Sequence, residues 1–340
     1  MKAIIFKGVN RLALEERPEP AITHADDVVV RIDSTGICGT DRNIYLGNFK
    51  AREGVILGHE SVGVVAAVGP AVRNFKAGDR VIVNPTLNCG RCDFCQRGEL
   101  NFCDNKAGSE IGVDRDGTFA SHSVFPEQFL YKLPKGMEFS RAVVVEPLAC
   151  VLNNAKAANL RAEDDVAIIG AGPIGMVWGL YAQRVALRTT MLENNPFRIQ
   201  FARKHLERVI DSGADNAVAA AIAANGGRKF RVVVDTTGVM LERSLELVSK
   251  GGCVVLMGFN AGYKATIHPL TLVGNGIRII GAGDYNSQIF PAAIDLAATL
   301  PLESLVTHQI GLDEYEKAFG LIAGGSNNAA YGAMKVVIRS

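Results

Sequence analysis

The sequence is short of several things, and each shortage removes a class of function. It has almost no charge imbalance: 36 Lys and Arg stand against 35 Asp and Glu, a net charge of +1, which argues against a basic nucleic-acid surface and against an acidic disordered tail. No segment is of low complexity and no internal repeat is visible. The N-terminal apolar run, Ala3-Ile4-Ile5-Phe6, stops at Lys7, well short of the roughly 7 to 15 residues at the core of a secretion signal, so a cytoplasmic protein is expected. Nor is there a clean membrane span. The longest charge-free stretch, Val166 to Gln183, contains Gly170, Gly172, Pro173, Gly175 and Gly179, which suit a strand, turn and helix better than a bilayer. Small neutral partners fit best, with neither nucleic acid nor membrane among them.

At 340 residues the chain outgrows a single hydrophobic core, which stops growing near roughly 250 to 300 residues, so two domains are expected. From Lys2 to about Val145, short apolar runs such as Val28 to Val30, Val62 to Val68 and Arg80 to Val83 are punctuated by Gly, Pro, Asn and Asp, the pattern of an irregular β domain. After Pro147 strand-length apolar runs alternate with helix-capable segments: Val166 to Ile169, Arg188 to Leu192, Arg208 to Ile210, Arg231 to Val234, Cys253 to Met257 and Ile277 to Ile280. That alternation predicts a doubly wound parallel sheet. A helical pattern over Phe290 to Thr299 and a terminal strand over Met334 to Ile338 then suggest that the chain returns to the first domain. The expected fold class is therefore α/β, with a β domain over 1–149 and 287–340 and a doubly wound domain over 150–286 inserted in it.

The first expected strand of that insertion runs into Gly170-Ala171-Gly172-Pro173-Ile174-Gly175 and then an apolar helix. A glycine motif in this context is a dinucleotide fingerprint. Gly170 permits the tight turn, Gly172 lets a pyrophosphate approach the backbone, Gly175 lets helix and strand pack closely, and the helix N-terminus presents N–H groups to phosphate. The second strand ends at Glu193, within about 20 residues of the motif, where a carboxylate accepts from a ribose diol and repels a 2′-phosphate. NAD is thus expected in preference to NADP. Arg198 lies close by and either softens that repulsion or is a solvated surface group.

Seven cysteines occur, and four of them, Cys89, Cys92, Cys95 and Cys103, fall within fifteen residues. Such crowding favours metal ligation over disulfides in a chain of this kind. The spacing supplies four soft thiolates from one loop, as a structural zinc site needs, with Gly90 and Gly98 allowing the tight path. An iron–sulfur cluster is the rival, although ferredoxin runs continue with three residues, Cys and Pro, whereas Cys103 follows seven residues later and precedes Asp104.

Three further pieces remain: Gly36-Ile37-Cys38-Gly39-Thr40-Asp41, Gly58-His59-Glu60 and Glu146-Pro147-Leu148. Each alone has an ordinary structural explanation. Together with Gly78-Asp79-Arg80-Val81, Asp116-Gly117-Thr118-Phe119-Ala120, Val306-Thr307-His308, the cysteine loop and the glycine motif, they make the whole chain resemble the medium-chain, zinc-containing alcohol dehydrogenases, and within them the polyol (sorbitol, xylitol and cyclitol) branch. The resemblance implies a GroES-like catalytic domain joined to a Rossmann domain, two zinc ions per chain and a homodimer or homotetramer, with Ile277 to Ile280 a candidate pairing strand. It implies that Cys38 and His59 are catalytic zinc ligands, that Glu60 and Glu146 supply the remaining shell or exchange with water, and that Thr40 accepts the substrate's proton by hydrogen bond. Glu146 stands where ordinary alcohol dehydrogenases tend to have cysteine. The implied activity is hydride transfer between a secondary alcohol (a polyol, cyclitol or amino-polyol) and NAD.

Two departures qualify this. Many relatives carry a relay histidine five residues beyond the first cysteine, where this chain has Asn43, which cannot take up a proton near neutral pH. The family's substrate-facing Arg-Tyr pair corresponds here to Asp284-Tyr285. With Phe119 these two are candidate substrate residues, Asp284 favouring neutral or cationic substrates unless it merely caps a helix. Oxidation of an amino alcohol, as in threonine dehydrogenases, is the alternative activity, and a non-enzymatic zinc protein the alternative class.

Overall fold

The computed structural model describes residues 1–106, 109–324 and 332–340. Its chain divides into two compact units: Met1–Glu146, Asn286–Gly325 and Lys335–Ser340 form the first, and Pro147–Tyr285 is the continuous part of the second.

The first unit opens with an antiparallel hairpin of β1 (Lys2–Gly8) and β2 (Arg11–Glu16). Its main sheet then builds on β3 (Asp27–Gly36), β4 (Glu60–Val68), β5 (Arg80–Val83), β6 (His122–Pro126) and β7 (Leu130–Lys132). The long strand β3 is buried at most positions because it pairs antiparallel with β4 and with β6. Val28, Val30 and Ile32 from it pack with Val65, Val81 and Phe125 into one core.

The second unit is a six-stranded parallel sheet of β8 (Asp165–Ile169), β9 (Arg188–Glu193), β10 (Val209–Asp211), β11 (Phe230–Asp235), β12 (Val248–Leu256) and β13 (Arg278–Ile280), in the spatial order β10-β9-β8-β11-β12-β13. Every residue of β8 is buried, as expected of a central parallel strand covered on both faces. All six expected runs are strands of this sheet. The largest difference in extent is at β12, which starts at Val248 rather than Cys253: Phe230 pairs with Val248 and Val232 with Cys253 across an irregularity that hides the strand's first half in the sequence. The order reverses at β8, and in open α/β sheets ligands bind at the carboxyl ends of the strands beside such a reversal.

The chain then returns to the first unit. A helix at Phe290–Ala297 precedes β14 (Val306–Gly311) and β15 (Lys335–Arg339). β15 lies between β14 and β3, antiparallel to β3 with Val337 opposite Gly36, so the terminal strand joins the first sheet as its apolar pattern required. Among the described residues no helix is long and apolar enough to cross a membrane.

Candidate functional site

The first unit gathers two groups of metal-capable side chains. In one, the ligand atoms of Cys89, Cys92, Cys95 and Cys103 all lie within 4.8 Å of one another. The loop holds its own sulfurs with N–H donors: Cys89 N donates to Cys103 Sγ at 3.3 Å, Cys92 N to Cys89 Sγ at 3.4 Å, and Asn105 Nδ2 to Cys89 Sγ at 3.3 Å. Asn105 foremost, with the backbone N–H groups of Arg91 and Cys92, lowers the Cys89 thiol to about 6, whereas burial pushes Cys95 up to about 12. No disulfide joins any of the seven cysteines. Four sulfurs converging with nothing but thiols between them fit a closed tetrahedral zinc shell.

The other group is Cys38, His59 and Glu60, again with ligand atoms within 4.8 Å of one another. Its construction follows from strand register. Glu60 opens β4 opposite Gly36, the last residue of β3; Cys38 lies two residues further on and begins the helix Gly39–Tyr45. Asp41, fully buried, ties the two loops together: Oδ2 accepts from Cys38 N at 2.8 Å and Oδ1 from Gly58 N at 3.1 Å. Oδ1 also lies 4.0 Å from His59 Nδ1. Thr40 Oγ1 sits 3.7 Å from Cys38 Sγ.

Lys335 completes the group and was not read from the sequence, where it counts only as one residue of an apolar strand. The antiparallel pairing of β15 with β3 carries it beside Glu60, with which it forms a buried ion pair. Its Nζ also donates to Ile37 O at 3.0 Å. A Cβ on Gly36 would lie 2.4 Å from Glu60 Oε2 and 2.7 Å from Lys335 Cε, so only glycine leaves room for the pair. Burial works against both cations here, yet both titrate above their ordinary values: Cys38 and Asp41 hold His59 up, and Glu60 and Cys38 hold Lys335 up, with Glu146 adding to each. Burial raises Asp41. A set of sulfur, nitrogen and oxygen donors, the nitrogen and oxygen buried and the sulfur half-buried, with this surplus of negative charge fits a divalent cation of zinc's type.

Glu146 is buried in the first turn of the helix Val145–Ala158. It is close enough to act on His59 and Lys335 but lies outside the trio whose ligand atoms come together. Phe119 is fully buried, edge-on to Phe319 and within van der Waals reach of Gly58. Tyr285 is fully buried and Asp284 partly so. The capping role considered for Asp284 does not hold: Asn286, whose Oδ1 accepts from Gln288 N at 3.1 Å, caps the short helix that follows.

The second unit supplies the glycine turn. Gly170 leaves β8 with φ +97°, a conformation that favours glycine, and the helix Pro173–Val185 starts from Gly172 with Pro173 at its first position. Glu193, buried at the end of β9, accepts from Ala171 N at 2.7 Å through Oε2, and from Asn194 N and Asn195 N at 2.8 and 2.9 Å through Oε1. Arg198 Nη1 lies 3.9 Å from Glu193 Oε2 and close to Gly172. The carboxylate that the sequence offered to a ribose is thus also a brace for the turn.

A β domain bearing two metal-capable clusters, joined to a Rossmann sheet with a phosphate turn, defines a zinc dehydrogenase that uses a nicotinamide dinucleotide. The comparisons agree: the alcohol dehydrogenase GroES-like domain matches residues 24–135 and the zinc-binding dehydrogenase domain residues 173–299. The chain is 30% identical to the Arthroderma otae protein named "Probable D-xylulose reductase A", over 95% of this chain and 94% of that one. A Sinorhizobium meliloti protein assigned to the zinc-binding dehydrogenases and solved bound to NADP superposes with TM-score 0.91 at 30% identity, covering 100% of this chain and 99% of that one. Galactitol-1-phosphate dehydrogenase of Escherichia coli superposes with TM-score 0.88 at 25% identity, covering all of both chains. The chain belongs to the zinc-containing alcohol dehydrogenase family.

Proposed function

We propose that this enzyme oxidises a secondary hydroxyl of a polyol or cyclitol, reversibly, with NAD, through a metal site made by Cys38, His59 and Glu60 with Glu146 at its edge. The observation that carries the reading is the trio of half-buried Cys38 with buried His59 and Glu60, whose mixed donors differ from the closed four-thiolate loop and suit a site that exchanges a ligand for substrate. The relatives support the substrate class, one being named for D-xylulose and one for galactitol-1-phosphate.

When bound, zinc supplies Lewis acidity at the alcohol oxygen and the dinucleotide a hydride acceptor. The chain's own residues do the rest. Asp41 fixes the Cys38 and His59 loops in register, so the donors are set before substrate arrives. Thr40, beside Cys38 Sγ, accepts the substrate hydroxyl's proton by hydrogen bond. Asn43 cannot carry that proton onward, so it leaves by a route that does not use this side chain. Lys335 holds the Glu60 carboxylate in place by its charge. Glu193 retains acceptor capacity after three backbone N–H bonds, since an ionised carboxylate offers about four lone-pair sites, and that capacity together with its charge favours NAD over NADP. The four-cysteine loop binds a second zinc and orders its own backbone. The partner is a small alcohol, and a second copy of the chain pairs along β13, which lies at an edge of its sheet with the unpaired backbone of such strands.

The test is NAD and NADP reduction over a panel of neutral, amino-substituted and phosphorylated polyols together with threonine, alongside zinc analysis. Turnover with neutral polyols, a preference for NAD and two zinc ions per chain are expected. Activity confined to threonine, or none with any alcohol in a zinc-replete protein, would overturn the reading.

A further inference from the structure

The last residue of β11 and the three beyond it, Asp235-Thr236-Thr237-Gly238, belong to no motif used above, yet they sit beside the phosphate turn. Asp235 pairs in register with Ile169 at the end of β8. Thr236 N donates to Ile169 O at 3.1 Å, and Thr236 Oγ1 lies 2.8 Å from Ile169 O and 3.1 Å from Gly170 O. Gly170 is enclosed from both sides. A Cβ on it would lie 2.7 Å from Thr236 Oγ1, and a Cβ on Gly175 would lie 1.8 Å from Gly170 O. The first glycine's carbonyl is therefore gripped between the start of the helix and one hydroxyl.

The grip is itself rigid. Asp235, buried at the strand end, accepts from Thr237 N and Oγ1 at 2.8 and 2.7 Å, from Gly238 N at 3.0 Å and from Met240 N at 2.9 Å. This fixes the backbone that carries Thr236. On the upper side, Gly170 N donates to Leu192 O at 2.8 Å and Ala171 N to Glu193 Oε2. Of the groups flanking the turn's entry, those facing β9 are hydrogen-bonded by that strand and those facing β11 by Thr236, with the Thr237 methyl packed beside Gly170.

We propose that Thr236 is a positioning residue for the dinucleotide: its hydroxyl holds the Ile169 and Gly170 carbonyls, so that the turn beyond Ala171 presents the N–H groups of Gly172 and Ile174, at the start of the helix, to the pyrophosphate. The proposal rests on the dinucleotide occupying this turn. It assigns affinity for the diphosphate, common to NAD, NADP and ADP-ribose, to a side chain that touches none of them, and keeps it apart from the choice between NAD and NADP made at Glu193.

The test is calorimetric titration of the zinc-loaded enzyme with ADP-ribose, with adenosine as a competitor lacking the diphosphate. Thr236→Val, which keeps the shape and removes the hydroxyl, is expected to raise the ADP-ribose Kd about tenfold at full binding stoichiometry. Adenosine affinity should stay unchanged, KM for NAD and for NADP should rise by the same factor, and kcat should hold. Thr236→Ser should bind as the wild type does. Unchanged ADP-ribose affinity in Thr236→Val overturns the proposal. So does an equal loss for adenosine, or a fall in stoichiometry at unchanged Kd, since each marks loosened structure rather than a misplaced turn; failure of Thr236→Ser to restore binding does the same. A wild type that binds no ADP-ribose sinks the dinucleotide reading, and the proposal with it.

Discussion

The two metal-capable clusters of the first unit are made in opposite ways. The four-cysteine loop takes all its sulfurs from Cys89–Cys103 and settles them with N–H donors from the same loop. The Cys38 cluster draws on two loops and two strands, and buries Asp41, Glu60 and Lys335 alongside its donors. A site built from one short loop can fail without disturbing the sheet beneath it. A site assembled across the sheet cannot lose a charged member without leaving another stranded in the interior, where an unpaired ion is costly. Closed, local and chemically uniform suits a structural role; dispersed, mixed and electrostatically balanced suits a catalytic one.

Three substitutions sharpen or break that contrast. The largest effect is expected from His59→Ala, which removes a donor from the dispersed cluster: turnover should fall by roughly a thousandfold or more, while affinity for ADP-ribose, measured by titration, stays within about twofold. Parallel loss of both would mean that the two units do not divide the work. Next comes Lys335→Met, which leaves the Glu60 carboxylate buried without its cation and should cost about 3 to 5 kcal/mol in denaturant unfolding of metal-free protein. Adding Glu60→Gln should recover much of that loss. A double variant no more stable than the single one would show that Lys335 acts by packing and not by charge. The smallest is Cys95→Ser in the local loop: one zinc of two lost by elemental analysis, and a fall in melting temperature of about 4 to 8 °C for roughly 2 kcal/mol. Retention of both zincs would refute the four-thiolate assignment.

The same contrast explains what could be read from the sequence. The cysteine loop, the glycine turn and the six strands of the Rossmann sheet were legible because each is local: a spacing, a motif between a strand and a helix, a run of apolar residues. Cys38, His59 and Glu60 were found only as glycine-flanked fragments joined by resemblance, and the structure brings all three together. Lys335 could not be found that way, because nothing near it in sequence distinguishes it from the strand it sits in; its neighbour is chosen by the register of β15 on β3. The second half of Glu193's role was hidden for a similar reason. A carboxylate at the end of the second strand announces a ribose partner, but not that Ala171 N turns back to meet it. Thr236 belongs with these, being assigned its neighbours by the pairing of β11 with β8.

The ion pair between Lys335 and Glu60 also bears on how the first unit folds. Lys335 reaches Ile37 across 298 positions of sequence, with the whole second unit threaded between them. Contacts this remote close late, because the loop they seal is entropically expensive until other structure has shortened it. A chain in which β3 and β4 have paired but β15 has not yet docked already holds Cys38 near His59 and Glu60, but with the anions uncompensated. β15 therefore both joins β14 to β3 in the sheet and brings the positive charge that balances Glu60.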